Sequence, residues 1–89
     1  MYSIEKNSTG KVLDGPVRVK AIILSSGGAT ASAILDDSTD GSGTKKVTLK
    51  QATNNDSKSA FFGEKGIQFT NGVYLTLTGT GAVCDIIYE

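Results

Sequence analysis

Apolar and polar residues alternate one for one along most of this chain, in short runs broken by glycine. A period of two marks a strand with one face buried. The clearest case is the last third. Residues 66–70 alternate, Asn71-Gly72 interrupts, and 73–78 alternate again, with Val73, Leu75 and Leu77 on one side and Tyr74, Thr76 and Thr78 on the other. Asn-Gly between two alternating runs predicts a hairpin, because a tight turn needs positive φ at its central residues. Gly79-Thr80-Gly81 predicts a further turn, into a strand over 82–88. There Val83 and Ile87 share one face, and Cys84, Ile86 and Tyr88 the other, so the strand reads as buried on both sides except at Asp85.

The earlier chain follows the same pattern. A strand is predicted over 17–25, with Val17, Val19, Ala21 and Ile23 on one face and Arg18, Lys20, Ile22 and Leu24 on the other. Its far half is apolar on both faces, which predicts cover on both sides. Ser26-Gly27-Gly28 predicts a hairpin turn into a strand over 29–35, whose small residues Ala29, Ala31 and Ala33 suit close packing against a second layer. Polar loops are expected over 36–44 and 51–57, with strands over 45–50 and 59–62. Residues 1–14 are polar, carry Gly10, and read as an arm or edge strand in which Lys11-Val12-Leu13 pairs; 15–89 form the single domain. No window places apolar residues at i, i+3, i+4 and i+7, so essentially no helix is expected.

Seven strands, or eight with the arm, at regular spacing predict an all-β fold: a small antiparallel β-sandwich. Its connections are expected to be jelly-roll-like, because the two mid-chain loops are long enough to cross between sheets. An open meander is the alternative.

Composition narrows the chemistry. At 89 residues the chain makes one domain with a thin core, which favours a partner surface. Nine basic and nine acidic residues balance, so no strong field draws nucleic acid or an anionic membrane. The longest apolar run, 21–24, is far short of a membrane span, and the first residues lack the apolar stretch of a secretory signal. Cys84 is the only cysteine, which excludes an internal disulfide; within its apolar run it reads as a buried small hydrophobe.

The chain has no histidine. That removes the commonest general base and every Ser–His or Cys–His dyad. Asp36-Asp37 are adjacent but sit in a Gly/Ser/Thr loop expected to be open to water, where two carboxylates keep ordinary acidity. Gly41-Ser42-Gly43-Thr44 and Gly79-Thr80-Gly81 open no helix and read as plain turns, not phosphate cradles. Asp36, Ser38, Asp40 and Gly41 match the first half of a calcium loop, but the twelfth position is Val47 where a bidentate glutamate is needed. An ordinary turn is expected there, with no metal and no cofactor. Arg18, Lys20, Lys45, Lys46 and Lys50 would have to share a face to bind nucleic acid, and Phe61, Phe62 and Phe69 read as core anchors. No catalytic residue is assigned, and the expectation is a protein that is not an enzyme.

The run Gly15-Pro16-Val17-Arg18-Val19-Lys20-Ala21-Ile22-Ile23-Leu24-Ser25, followed by Ala31-Ser32-Ala33-Ile34-Leu35-Asp36-Asp37, resembles the opening of small virion structural proteins of tailed bacteriophages. The closing run from Gly66-Ile67-Gln68-Phe69 through Asn71-Gly72-Val73-Tyr74-Leu75 and Thr78-Gly79 to Ile86-Ile87-Tyr88 is similar to the ending of that group. The resemblance implies a β-sandwich that serves as capsid decoration, or as a tail or fibre component. Its partners would be copies of itself or other virion proteins, with no nucleic acid and no membrane. Its location would be the virion, after synthesis in the host cytoplasm. If the chain assembles, residues 1–13 are expected to become ordered only when a neighbour receives them; simple fraying of a chain end is the alternative. The alternative functions are a recognition module that binds a glycan or host surface, for which Tyr74 is the outward mid-strand aromatic, and a host-directed accessory protein.

Overall fold

A computed structural model describes residues 2–52 and 56–89. Residues 53–55, inside the second expected loop, lie outside the described residues. Among the described residues there are nine strands and no helix. They are β1 (Tyr2–Lys6), β2 (Gly10–Asp14), β3 (Val17–Ser25), β4 (Ala31–Asp37), β5 (Thr44–Gln51), β6 (Ser57–Phe61), β7 (Ile67–Phe69), β8 (Gly72–Thr78) and β9 (Val83–Tyr88). Every pairing is antiparallel. One sheet runs β1-β9-β3-β6, with β7 continuing the β6 position along the first half of β3; the other runs β2-β8-β4-β5.

The pairings nest. β4 pairs with β5, β3 with β6 and β7, β2 with β8, and β1 with β9. The chain is thus one long hairpin folded at the β4–β5 connection and rolled up, so that β3·β9 and β4·β8 ladders close the two sheets. That is the jelly-roll arrangement of a β-sandwich.

Nesting overturns two expected hairpins. β3 and β4 lie in opposite sheets, so Ser26-Gly27-Gly28 is a crossing between layers. Ser26 donates its amide N–H to the Asp56 carbonyl at 2.8 Å, and a methyl on Gly27 would sit 2.8 Å from the Thr80 carbonyl oxygen. Glycine is needed there for close approach of two corners. β7 and β8 also lie in opposite sheets, so Asn71-Gly72 is a corner too. A methyl on Gly72 would sit 2.9 Å from the Leu13 carbonyl oxygen. Conversely, the loop after β4, expected to cross between sheets, closes the β4–β5 hairpin.

The N-terminal segment is built into the fold. β1 pairs with β9 along its length, and β2 pairs with β8. The segment forms two edge strands, one on each sheet, and needs no neighbour to order it. Ile4 and Val12 pack on the core.

Inward residues of both sheets fill one core: Val17, Val19, Ile22, Leu24, Phe69, Cys84 and Ile86 from one layer, Ala31, Ala33, Leu35, Val47, Leu49, Val73 and Leu75 from the other. In β3 the two sets of inward residues are out of phase, because the β3·β9 register slips between Val19 and Ala21. A bulge adds one residue and reverses which face follows. Val17 and Val19 point in before it, Ile22 and Leu24 after it. Ala21 and Ile23 are left on the outer face, where Ala21 is buried at 3% exposure and Ile23 is half-buried. The cover expected on both sides of this strand is thus nearly complete at Ala21 and partial at Ile23.

Because β1 and β2 shield core residues, a chain that begins at Gly15 should be less stable than the full chain by several kcal/mol, by the ~25 cal/mol per Å² that buried apolar surface contributes. Urea unfolding followed by circular dichroism checks this; equal midpoints would mean that the two edge strands contribute nothing.

Candidate functional site

Asp36 and Asp37 end β4, and both are buried, at 2% and 9% exposure. The open, solvated loop expected for them is corrected: Asp36 is enclosed by its own loop, and Asp37 finds its partner in distant sequence. Asp36 Oδ1 accepts from Ser38 Oγ at 2.7 Å and from the Gly43 amide at 3.0 Å. Ser38 Oγ accepts in turn from the Gly41 amide at 2.9 Å. Asp37 Oδ1 accepts from the Asn71 amide at 2.8 Å, and Oδ2 lies 3.6 Å from Lys46 Nζ. Lys46 Nζ also donates to the Gln68 carbonyl at 2.7 Å and stands 5.7 Å from the centre of the Phe69 ring. One carboxylate closes the β4–β5 hairpin loop, and the other fastens the β7–β8 corner.

Burial pushes the Asp37 carboxyl up, but the amides of Asn71, Thr70 and Gly72 and the Lys46 charge outweigh it and hold the group below the ordinary carboxylate value. A carboxylate kept ionised by fixed donors is a poor proton shuttle. The residues of the half calcium loop are engaged similarly. Asp36 faces the Gly43 amide, while Asp40 Oδ1 accepts from the Ser42 amide at 3.0 Å and from Ser42 Oγ at 2.5 Å. Their oxygens meet N–H and O–H donors of their own loop. No group of three or more His, Cys, Asp or Glu among the described residues is placed to hold a metal ion.

The same loop folds over Tyr74: a methyl on Gly41 would sit 3.1 Å from its ring. Tyr74 is half-buried and is not a free aromatic platform. Cys84 is buried in the core, and burial, with the Asp85 charge, pushes its thiol up to about 11. Such a thiol stays protonated and unreactive.

The basic residues do not gather. Arg18 and Lys20 belong to β3, and Lys45, Lys46 and Lys50 to β5 in the other sheet. Lys20 pairs with Glu89 at 3.4 Å, and Arg18 Nη1 donates to the Lys65 carbonyl.

The two outer sheet faces differ. The outer face of β2-β8-β4-β5 carries Ser32, Thr48, Lys50, Thr76 and Thr78 around a half-buried Ile34. On the other sheet, register sets Phe61 beside Ala21, Ala21 beside Ile87, and Ile87 beside Ser3. The next outward row is Ser59, Ile23, Asp85 and Glu5. Phe61, expected in the core, is 75% exposed, whereas Phe69 is fully buried and Phe62 packs against the core. Its strand edge explains this: Ala60 takes the inward position, so Phe61 points out. The doubly apolar runs over 21–24 and 86–88 are the sequence signal for this face, as contact surface or as strands covered by loops; the exposure of Phe61 has no such signal.

Asp37 supplies a pH-dependent contribution to stability. Its folded value is depressed, so the contribution is complete above the ordinary carboxylate value of 3.8 and is lost as pH falls through the lower folded value. Asp37→Asn should cost about 1–3 kcal/mol at pH 7, because a buried network loses its charge-assisted bonds. The gap to the wild type should narrow at pH 3, measured by urea unfolding at both values. An equal gap at both would show that the charge is irrelevant.

No helix among the described residues is long and apolar enough to cross a membrane. Compared with known proteins, the chain matches no family model, no curated sequence and no solved structure.

Proposed function

We propose that this chain is a non-enzymatic structural protein that works by self-assembly or by docking on a larger particle. The observation that carries the reading is the outer face of the β1-β9-β3-β6 sheet, where Phe61, 75% exposed, stands with half-buried Ile23 and Ile87 around the buried Ala21. An apolar patch rimmed by polar residues marks an interaction surface. The buried carboxylates support the reading from the other side, since both serve to fasten loops.

The particle that the sequence resemblance points to is the virion of a tailed phage, with this chain as capsid decoration or as a tail or fibre component. Jelly rolls build viral capsid domains, but they also build lectins and cupins, so the fold leaves the particle to the resemblance. The recognition-module reading keeps one observation in its favour. Tyr2 is 66% exposed and its ring lies 5.6 Å from that of Tyr88, which offers an aromatic surface at the β1–β9 edge.

Sedimentation velocity across micromolar to millimolar protein, at low and high salt, tests assembly. A defined oligomer that survives high salt is expected, because apolar contacts are not screened. A monomer under all these conditions, also missing from particles purified from the source cell, would reject the reading.

A further inference from the structure

We infer that the outer face of the β1-β9-β3-β6 sheet seats a second copy of this chain, face to face about a two-fold axis that passes close to Ala21. The inference rests on the assembly reading above and names its surface and its partner.

Shape is the first argument. A two-fold contact joins one patch to itself, so the patch must carry both a projection and its receptacle. Phe61 projects at 75% exposure from β6. Beside it, Ala21 and Ile87 floor a shallow hollow that Lys20, Gly63 and Glu64 border. Ala21 has the smallest side chain in that row, between Phe61 on one side and Ile87 on the other. The two-fold operation lays the Phe61 ring of each copy against the apolar centre of the other.

Charge is the second. The apolar centre lies between two corners of opposite sign. Glu5 and Asp85 are paired neighbours on β1 and β9 and lie beside Ile23. At the diagonal corner, Arg18 and Lys20 of β3 and Lys65 of the β6–β7 turn outnumber Glu64 and Glu89. An axis perpendicular to that diagonal brings the basic corner of each copy onto the acidic corner of the other. Such complementarity fixes orientation more than it adds affinity. The opposite outer face has half-buried Ile34 between Thr48 and Thr76, flanked by Ser32 and Thr78, and carries no exposed large hydrophobic side chain among the described residues.

Area is the third. The molecule measures 34 × 27 × 18 Å. Either broad face can supply the ~800 Å² per partner that a standard interface buries.

Sedimentation equilibrium of four variants tests the inference. Phe61 is exposed, so Phe61→Asp should fold like the wild type, and it should weaken dimerisation by tenfold or more, as loss of a central aromatic contact does. Thr76→Asp, on the other outer face, should leave dimerisation unchanged. Asp85→Lys should weaken it, and Asp85→Lys with Arg18→Glu should restore it, because the corners exchange sign together. If the wild type associates and Phe61→Asp associates equally well, the inference is overturned while the assembly reading stands. If the wild type is monomeric but binds a particle through Phe61, a different partner occupies the face, and the inference is again overturned. A monomer that binds nothing overturns both.

Discussion

Nested pairing is the constraint from which the rest of this structure follows. Each strand of the first half hydrogen-bonds to a strand at a mirrored distance beyond the β4–β5 hairpin, so the ladders β4·β5, β3·β6/β7, β2·β8 and β1·β9 lie one outside another. Rolling that long hairpin shut puts nearly every consecutive pair of strands in opposite sheets. The connections must therefore turn corners across the thickness of the sandwich. Corners expose backbone amides that no ladder satisfies, and buried amides need partners. Asp37 answers that need for Asn71 at the β7–β8 corner, while Asp36 closes the β4–β5 hairpin through the Gly43 amide. The polar residues that first look like chemistry are thus fasteners of the topology.

The same constraint shapes the surface. Rolling leaves two outer faces, and in the β1-β9-β3-β6 sheet the slip after Val19 turns Ala21 and Ile23 outward while keeping Ile22 and Leu24 in the core. Ile87 and Phe61 complete the row across the strands. A thin core in a small domain gains from burying such a face, since apolar burial is the dominant favourable contribution to folding and association alike. Structure and assembly are in this sense one problem for the chain, and the proposed function is the one that uses the face.

Strand positions were legible in the sequence because alternation is local: the runs around Val17, Val47, Val73 and Cys84 all form strands close to the expected bounds. Pairing was not legible, because partners are chosen across the whole chain. Asn71-Gly72 supplies a turn conformation but does not say which strands it joins, and here the Asp37 carboxylate draws it into a corner. Asp36 and Asp37 read as solvated because their sequence neighbours are polar; their burial comes from Gly43, Asn71 and Lys46. The doubly apolar character of β3 and β9 was visible, but not which side would face water, since a one-residue bulge decides that. Phe61 was misplaced for a related reason: hydrophobicity alone does not distinguish a core residue from an interface residue.

The central claim is that this chain meets its partner through the outer face that the slip in β3 creates. Amide chemical shifts in a ¹H–¹⁵N correlation spectrum, followed as protein concentration rises, test it most directly. The account predicts concentration-dependent changes at Ala21, Ile23, Phe61, Asp85 and Ile87, with Ser32, Thr48, Thr76 and Thr78 unmoved. Changes confined to the threonine-bearing face or to the free edges of β2 and β5 would contradict it.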